Sequence, residues 1–331
     1  MSEARIDSDF GSAGVEASNA EKLYLKKSSI LDSRSGLQRK AFKTLLIKKI
    51  LLPVDFPTTS VSVIQQAVTL AERFQAEIIM LHVATPKSHA AGVPSHRRDL
   101  GNWNLLAQIF RGSDQKFDQT LRRRLETLSL RGVVVQGDPA PAILGAAQTE
   151  NADLIMMASH GYPFDQFLLG SVMAKVLKRS ECPVWTGAHA EEHSAKEFSI
   201  HNILCAVNLV PRSQQAASWA AQLAANFDAQ LTLCNVTESM AMVAPGGTWT
   251  NPEYQQMLIN DASQRLTELQ KKLRIDADLL IGSGDVDKVL AQFANKTKAD
   301  LLVFDCYPYN ENLRMHGYAI ICSVSIPVLS V

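Results

Sequence analysis

The stretch ADLIMMASHG at residues 152–161, followed by LLGSV at 168–172 and CPV at 182–184, indicates the fold most directly. Its pattern predicts a buried strand, a turn of small residues, a helix that begins near Gly170 and Ser171, and another short strand. The start of a helix presents unpaired N–H groups and the positive end of the helix dipole, which together favour an anion. The stretch therefore predicts an α/β unit with a candidate phosphate-binding turn.

This pattern occurs twice along the chain. ILLPVDF at residues 50–56 matches ILCAVNL at 203–209, and residues 70–83 match residues 223–236 at the same offset of 153. Further matches follow in the same order: Gly137-Asp138 with Gly284-Asp285, residues 152–155 with 299–302, and Pro183-Val184 with Pro327-Val328. A repeat of this length is a whole domain, so the sequence predicts a duplication rather than a solenoid.

Each copy alternates apolar runs with amphipathic segments. The predicted strands are 50–55, 77–83, 132–136, 153–158 and 183–187 in the first copy, and 203–208, 230–236, 277–281, 300–305 and 327–331 in the second. The predicted helices are 60–74, 114–130, one from about Pro139 and 170–180, then 213–227, 253–273, one from about Asp285 and about 314–322. This alternation is typical of parallel sheets covered on both faces. We expect an α/β fold of two tandem doubly wound parallel five-stranded sheets, Rossmann-like, with right-handed crossovers.

The composition favours an ordinary globular protein and gives no sign of a nucleic-acid partner. The chain has 331 residues, 46% of them hydrophobic and 20% charged, with a net charge of zero and a pI of about 7.1. The five cysteines occur singly, which indicates reduced thiols. The sequence has neither an apolar run of membrane-spanning length nor a signal-peptide pattern. We therefore expect a cytoplasmic protein without a membrane span.

The sequence divides into four segments. We expect a flexible basic N-terminal tail at 1–44, a first domain at 45–188, a linker at 189–198 and a second domain at 199–331. The tail either leads into the first strand or is a basic arm for an acidic partner or a membrane surface. Residues 189–193 read HAEEH, a pattern of some zinc peptidases, but they lie in the polar linker and we interpret them as linker.

With these residues in view, both copies resemble the universal stress protein domain, and the chain resembles a tandem universal stress protein. The nucleotide-binding branch of that family carries Gly, two residues, Gly, nine residues and Gly-Ser/Thr. The first copy has Ala158 in place of the first glycine, then Gly161, and a spacer of eight residues before Gly170 and Ser171. Alanine is a mild change if the position has a negative φ, and an obstacle if it needs a positive one.

The resemblance implies an ATP site in the first domain, with or without Mg²⁺. Asp55 would face the adenosine part of the nucleotide, and Val83 would offer a main-chain contact to adenine. Main-chain amides and one hydroxyl would surround the phosphates. The turn and helix start concerned comprise Ala158, Ser159, His160, Gly161, Gly170, Ser171 and Val172. His160 would face the phosphates, whereas His82 at a strand end is either a packed side chain or a ligand contact.

The second copy departs from that pattern. Asn208 replaces the aspartate, Asp305 and Pro308 stand in the turn, and Arg314 and Met315 occupy the places of Gly170 and Ser171 when counted back from the Pro-Val pair. Proline has no N–H to donate, and a carboxylate repels phosphate. We expect this copy to have lost nucleotide binding and kept the scaffold.

Two classes of function follow from the sequence. The first is a non-catalytic, ATP-binding stress-response or signalling protein. Slow intrinsic hydrolysis of ATP is a separate, third possibility. The alternative is a scaffold in which both sites are degenerate and which only docks an unknown protein partner. In either case the last strands, near residues 183–186 and 327–331, are expected to pair the two domains as an internal pseudo-dimer, and a homodimer of the chain is a further expectation.

Overall fold

A computed structural model gives the fold. It describes residues 24–26, 47–54, 61–84, 98–100, 119–158, 171–187, 198–209, 214–237, 242–244, 247–249, 252–305 and 311–331, with the backbone alone at 24–26, 98–100, 242–244, 247–249 and 311–316. The elements of the first half are β1 (Tyr24–Lys26), β2 (Lys49–Pro53), α1 (Val61–Phe74), β3 (Glu77–Ala84), β4 (Arg98–Leu100), α2 (Gln119–Thr127), β5 (Leu130–Gln136), α3 (Pro139–Glu150), β6 (Leu154–Met157), α4 (Ser171–Arg179) and β7 (Val184–Thr186).

The elements of the second half repeat those of the first. They are β8 (Asn202–Ala206), α5 (Gln214–Phe227), β9 (Gln230–Thr237), β10 (Met242–Ala244), β11 (Gly247–Trp249), α6 (Pro252–Leu273), β12 (Asp278–Ser283), α7 (Val286–Thr297), β13 (Leu301–Phe304), α8 (Glu311–Ser323) and β14 (Val328–Ser330). β10 and β11 form a separate antiparallel pair, and the remaining strands form one sheet.

The described strands confirm the predicted sheets and join them. Parallel pairing gives the order β7-β6-β2-β3-β5 in the first half and β14-β13-β8-β9-β12 in the second. β7 then pairs antiparallel with β14, with Trp185 opposite Leu329. The last strands therefore meet as expected, and the two five-stranded sheets are continuous parts of a single twelve-stranded sheet.

Two short strands that the sequence analysis missed lie at the edges of this sheet. β1 pairs antiparallel with β12, and β4 pairs antiparallel with β5. At Tyr24–Lys26 the structure thus differs from the expected flexible tail, because these three residues cover the outer edge of the second half. Short edge strands of this kind limit the edge-to-edge pairing that an open sheet invites.

The boundaries of several elements also differ from the predicted ones. α2 ends at Thr127 rather than at residue 130, because Leu130 is buried and pairs with Ile78 as the first residue of β5. β2 ends at Pro53 and β8 at Ala206, two residues before the predicted ends. The final helix, α8, begins at Glu311, about one turn before its predicted start.

A matching polar contact fixes the amino edge of the sheet in both halves. A carboxylate oxygen of Asp153 accepts hydrogen bonds from the main-chain N–H groups of Lys48 and Lys49, at 2.8 and 3.0 Å. Asp300 accepts the same pair of bonds from His201 and Asn202, both at 2.8 Å. This contact ties β2 to β6 in the first half and β8 to β13 in the second. It gives a structural reason for the repeated Ala-Asp pair before β6 and β13.

The apolar core runs through both halves on both faces of the sheet. Each of the two described clusters of buried side chains contains residues from both halves. Trp185 of β7 is fully buried in the first of these clusters, and its Nε1–H donates to Oε1 of buried Gln66 at 2.7 Å. Its ring also meets Phe198 edge to face, at 6.1 Å between centroids. The two halves consequently share a core.

We predict that three thiols, those of half-buried Cys182 and of buried Cys205 and Cys234, resist alkylation in the folded protein. Burial raises the pKa of Cys182 to about 12 and raises the pKa values of Cys205 and Cys234 well above their ordinary range. Since the thiolate is the reactive form, iodoacetamide at pH 8 should label these three residues only after unfolding. Peptide mass spectrometry with and without guanidinium checks this, and fast labelling of Cys205 in the native protein would contradict it.

The same thiols give a pH dependence of stability. A pKa raised in the folded state means that the folded protein holds the proton more tightly. The corresponding stability is complete below the ordinary thiol pKa of 9.0 and is lost as pH rises towards about 12. For Cys182 the loss should approach about 1.4 kcal/mol per pH unit. Comparing the wild type with Cys182→Ala in urea unfolding between pH 8 and 11 isolates this contribution, because the variant should lack it.

Candidate functional site

The candidate site of the first half lies where the direction of chain winding reverses. From β2 the chain continues to β3 on one side, while β6 lies on the other side of β2. At such a switch point the loops leave in opposite directions, which opens a crevice beyond the carboxyl ends of the two strands. β8 and β13 form the equivalent point in the second half.

Four of the predicted site residues are described, and the topology brings all four to this edge. Val83 lies near the end of β3, Ala158 directly follows β6, and Ser171 and Val172 open α4, which leads from that edge to β7. Ser171 is exposed and the other three are half-buried. The remaining predicted residues lie outside the described ranges: Asp55, Ser159, His160, Gly161 and Gly170.

The backbone of Val83 is turned towards the crevice. The N–H of Val54, just after β2, donates to the carbonyl of Leu81 at 2.8 Å, so the polar main-chain groups of Leu81 face β2. Alternate residues of a strand turn these groups to the same side, and Val83 therefore faces the same way. Because β2 ends at Pro53, Val83 directs its N–H and C=O to the space beyond that end.

The alanine in the turn does not need the conformational freedom of glycine. Among the described non-glycine residues, a positive φ occurs at Gln75, Asn151, Leu209, Asp228, Arg274 and Lys298, and not at Ala158. Ala158 also packs against the apolar core. The structure thus favours the milder of the two interpretations of the Gly-to-Ala change.

The charges of α4 suit an anion at its start. Its first turn has no acidic residue, and Lys178 and Arg179 occupy its last turn. Cations at the carboxyl end complement the negative end of the helix dipole. At the amino end, no carboxylate of the first turn offsets the positive end of the dipole, which is therefore available to an anion.

A polar contact at the end of β2 was not foreseen. Nδ1 of half-buried His82 lies 3.2 Å from the carbonyl oxygen of Val54, and since that oxygen can only accept, Nδ1 donates. In the second half, Nδ2 of Asn235 donates to the carbonyl of Val207 at 2.7 Å. The repeat places a polar residue at the same strand position in both halves, His82 in one and Asn235 in the other. This was the sequence signal that could have predicted the contact.

The equivalent edge of the second half differs in charge and shape. Asp305, half-buried, follows β13 at the position of Ala158. Burial raises the pKa of the Cys205 thiol, and the negative charge of nearby Asp305 raises it further. Leu209 has a left-handed φ of 58°, and its carbonyl accepts a hydrogen bond from Arg265 of α6.

The start of α8 differs from that of α4. Counted back from the Pro-Val pair, Arg314 and Met315 correspond to Gly170 and Ser171, yet α8 begins at Glu311. Met315 is thus the fifth residue of the helix, where its N–H is used inside the helix. An acidic residue also stands at the first position, where it offsets the positive end of the dipole.

In the described part of the chain, no group of three or more His, Cys, Asp or Glu side chains is arranged to hold a metal ion. Within the described ranges, no helix has the length and apolar character of a membrane span.

Taken together, the duplicated sheet and its crevices define a class of protein: a tandem doubly wound α/β protein. Comparison with known proteins gives the family. The family model described as "Universal stress protein family" matches residues 46–186 and again 199–305. The chain belongs to the universal stress protein family.

Individual proteins agree with this assignment. A universal stress protein of Methanocaldococcus jannaschii is 30% identical over 142 residues, which cover 42% of this chain and 81% of that protein. Among solved structures, a functionally unknown protein of Pseudomonas aeruginosa has a TM-score of 0.61 at 18% identity, covering 86% of this chain and 92% of that one. A universal stress protein of Archaeoglobus fulgidus has a TM-score of 0.56 at 17% identity, covering 86% and 96%. These structural likenesses concern the fold alone.

Proposed function

We propose that this protein binds an adenine nucleotide, ATP in the first instance, in the crevice of its first half and performs no chemistry on it. The observation that carries the proposal is the switch point between β2 and β6, where Val83 turns its main chain to the crevice and α4 begins. Crevices at such points are where doubly wound sheets take ligands. The start of α4 would hold phosphate, and the Val83 main chain would meet the base.

The side chains around this crevice would serve binding rather than catalysis. Exposed Ser171 offers a hydroxyl in the first turn of α4, beside the main-chain N–H groups of Ser171 and Val172. Asp55, by covalent position two residues after Pro53, would accept hydrogen bonds from the sugar hydroxyls. The turn at residues 158–161 and Gly170 would complete the phosphate cradle, and Mg²⁺ would come with the nucleotide.

We propose that the second half binds no nucleotide and acts as the internal partner of the first. A phosphate placed at its crevice would lie near Asp305, which directly follows β13, and α8 begins with an acidic residue in its sequence. Negative charge after β13 would oppose an anion by Coulomb repulsion, and an acidic first helical residue offsets the positive end of the helix dipole. The pairing of β7 with β14 and the shared core give this half its architectural role.

Titration calorimetry with Mg-ATP tests the proposal on the full chain. The wild type should bind one nucleotide, and Gly161→Leu with Gly170→Leu should abolish the heat because both side chains would fill the cradle. Ser171→Ala should weaken binding about tenfold, the scale of one hydrogen bond to a charged group. Met315→Ala, at the corresponding position of the second half, is the matched control and should bind like the wild type.

Two outcomes would contradict the proposal. If millimolar Mg-ATP gives no heat with the folded wild type, the first half does not bind ATP. If binding survives the glycine replacements and is lost on Asp305→Asn or Met315→Ala, the nucleotide lies in the second half instead.

The alternative function is a scaffold that docks a protein partner. One observation favours it: Tyr254 and Met257, three residues apart near the start of α6, are 39% and 56% exposed. Large apolar side chains at this helical spacing present a common face to solvent. Absence of heat with ATP, ADP, AMP and cyclic AMP would leave this as the preferred function.

A further inference from the structure

The residue that directly follows β2 in the first half, and the one that directly follows β8 in the second, is held on both of its main-chain polar groups. In the first half, the N–H of Val54 donates to the carbonyl of Leu81 at 2.8 Å, as a continuing parallel ladder would require. Its carbonyl accepts instead from a side chain, Nδ1 of His82, at 3.2 Å. β3 therefore holds Val54 from two consecutive residues, one through the main chain and one through the side chain.

The second half repeats this arrangement with different chemistry. The N–H of Val207 donates to the carbonyl of Cys234 at 2.8 Å, and the carbonyl of Val207 accepts from Nδ2 of Asn235 at 2.7 Å. An imidazole and an amide share neither shape nor size. What they share is one N–H donor in a plane at a similar distance from the backbone. The repeated property is thus the donor, which indicates that the carbonyl has to be held.

The held carbonyl belongs to the peptide unit that takes the chain out of the sheet. A peptide unit is planar, so a hydrogen bond to its oxygen also orients its N–H and fixes where the next residue begins. In the second half that next residue, Asn208, is exposed, and Leu209 then turns the chain with a φ of 58°. In the first half the next residue is Asp55. The contact therefore orients the peptide from which the segment after β2 or β8 continues.

We propose that His82 is a positioning residue for the nucleotide site: by donating from Nδ1 to the carbonyl of Val54, it orients the peptide that carries Asp55. This rests on the proposed function, because Asp55 is the group expected to face the nucleotide. A carboxylate that binds hydroxyl groups must be presented in one direction, since conformational freedom at its backbone is lost on binding and weakens affinity. In the second half, the same contact with Asn235 keeps the scaffold without serving a ligand.

Variants at the two equivalent positions test this. His82→Ala should weaken Mg-ATP binding about tenfold, the scale of one hydrogen bond in a buried setting. His82→Asn supplies the donor that the second half uses and should bind within about twofold of the wild type. Asn235→Ala is the matched control. It removes the same contact at the other crevice and should leave the dissociation constant unchanged, although its loss of stability in urea should be similar to that of His82→Ala.

A purely structural role would give a different result. In that case both His82→Ala and Asn235→Ala would lower stability, and neither would change the dissociation constant for ATP. That result would overturn the inference. It would also be overturned if His82→Asn were as weak as His82→Ala, because the donor would then not be the property that matters.

A second measurement separates this inference from the proposed function. Long-range ¹H–¹⁵N NMR of the nucleotide-free wild type at pH 8.5 reports which ring nitrogen carries hydrogen. Hydrogen on Nδ1 of His82, with faster amide exchange at residues 55–56 in His82→Ala, supports the positioning contact even if calorimetry shows no ATP binding. Hydrogen on Nε2 overturns the inference whether or not ATP binds.

Discussion

Replacing Trp185 with alanine is expected to lower the free energy of unfolding by about 3–5 kcal/mol. Trp185 is fully buried in β7, the strand through which the two halves of the sheet meet. Its removal leaves a cavity in the core that both halves share, and the loss includes the edge-to-face contact with Phe198. Because whole domains are stable by only about 5–15 kcal/mol, this single change should cost a large part of the total.

Part of that loss comes from a polar group left behind. Gln66, 2% exposed, accepts from the indole Nε1–H through its Oε1. Trp185→Phe keeps a ring but orphans that oxygen, and should cost about 1–3 kcal/mol. Urea unfolding followed by circular dichroism measures both variants. Trp219→Ala is the control, since Trp219 of α5 is only partly buried and its loss should be smaller. A midpoint for Trp185→Ala equal to that of the wild type would mean that β7 is not where the halves are held together.

Replacing Gly282 with valine is expected to destabilise the second half by about 1–3 kcal/mol or more. A Cβ atom at Gly282 would lie 2.6 Å from Cζ of Phe293 and 2.8 Å from Cγ1 of Val289. Both side chains are buried, so neither has room to move away. In the first half, Val135 stands at the position of Gly282 and Ala146 at the position of Phe293. The large residue is thus on the strand in the first half and on the helix in the second.

A double-mutant cycle tests whether the two positions compensate. Phe293→Ala alone should cost about 3–5 kcal/mol through the cavity it leaves. Gly282→Val with Phe293→Ala recreates the pair of the first half and should be more stable than the sum of the single effects by about 0.5–3 kcal/mol. Gly145→Ala is the control, because nothing lies within 4 Å of a Cβ there and alanine favours the helix. Additive losses, or a Gly145→Ala variant as unstable as Gly282→Val, would contradict the explanation.

The sequence predicts most of the sheet because its strands are buried on both faces. Mainly apolar runs such as residues 77–83 and 230–236 are recognisable without their neighbours, and each run is supported by its counterpart in the other copy. The edge strands β1 and β4 escaped prediction because three polar-flanked residues carry no periodicity. They become strands only through pairing with β12 and β5, which is a tertiary effect.

The candidate site was predictable to the level of strand ends and no further. Val83, Ala158 and Ser171 could be placed because strand and helix boundaries follow from the pattern. The contact between His82 and Val54 depends on the register between two strands, which the pattern of one strand does not contain. The early start of α8 likewise reflects a helix extended past the point that its sequence indicates, so the difference between the two crevices is larger than the substitutions alone suggest.

The antiparallel junction of β7 and β14 has a geometric result. All parallel strands of the first half run with β7 and all those of the second run with β14, so the two halves point in opposite directions. Their crevices accordingly open on opposite sides of the molecule, related by a local twofold axis through the junction. A molecule bound in one crevice therefore cannot contact the other crevice, and any coupling between the two has to pass through the sheet and the core that both halves share.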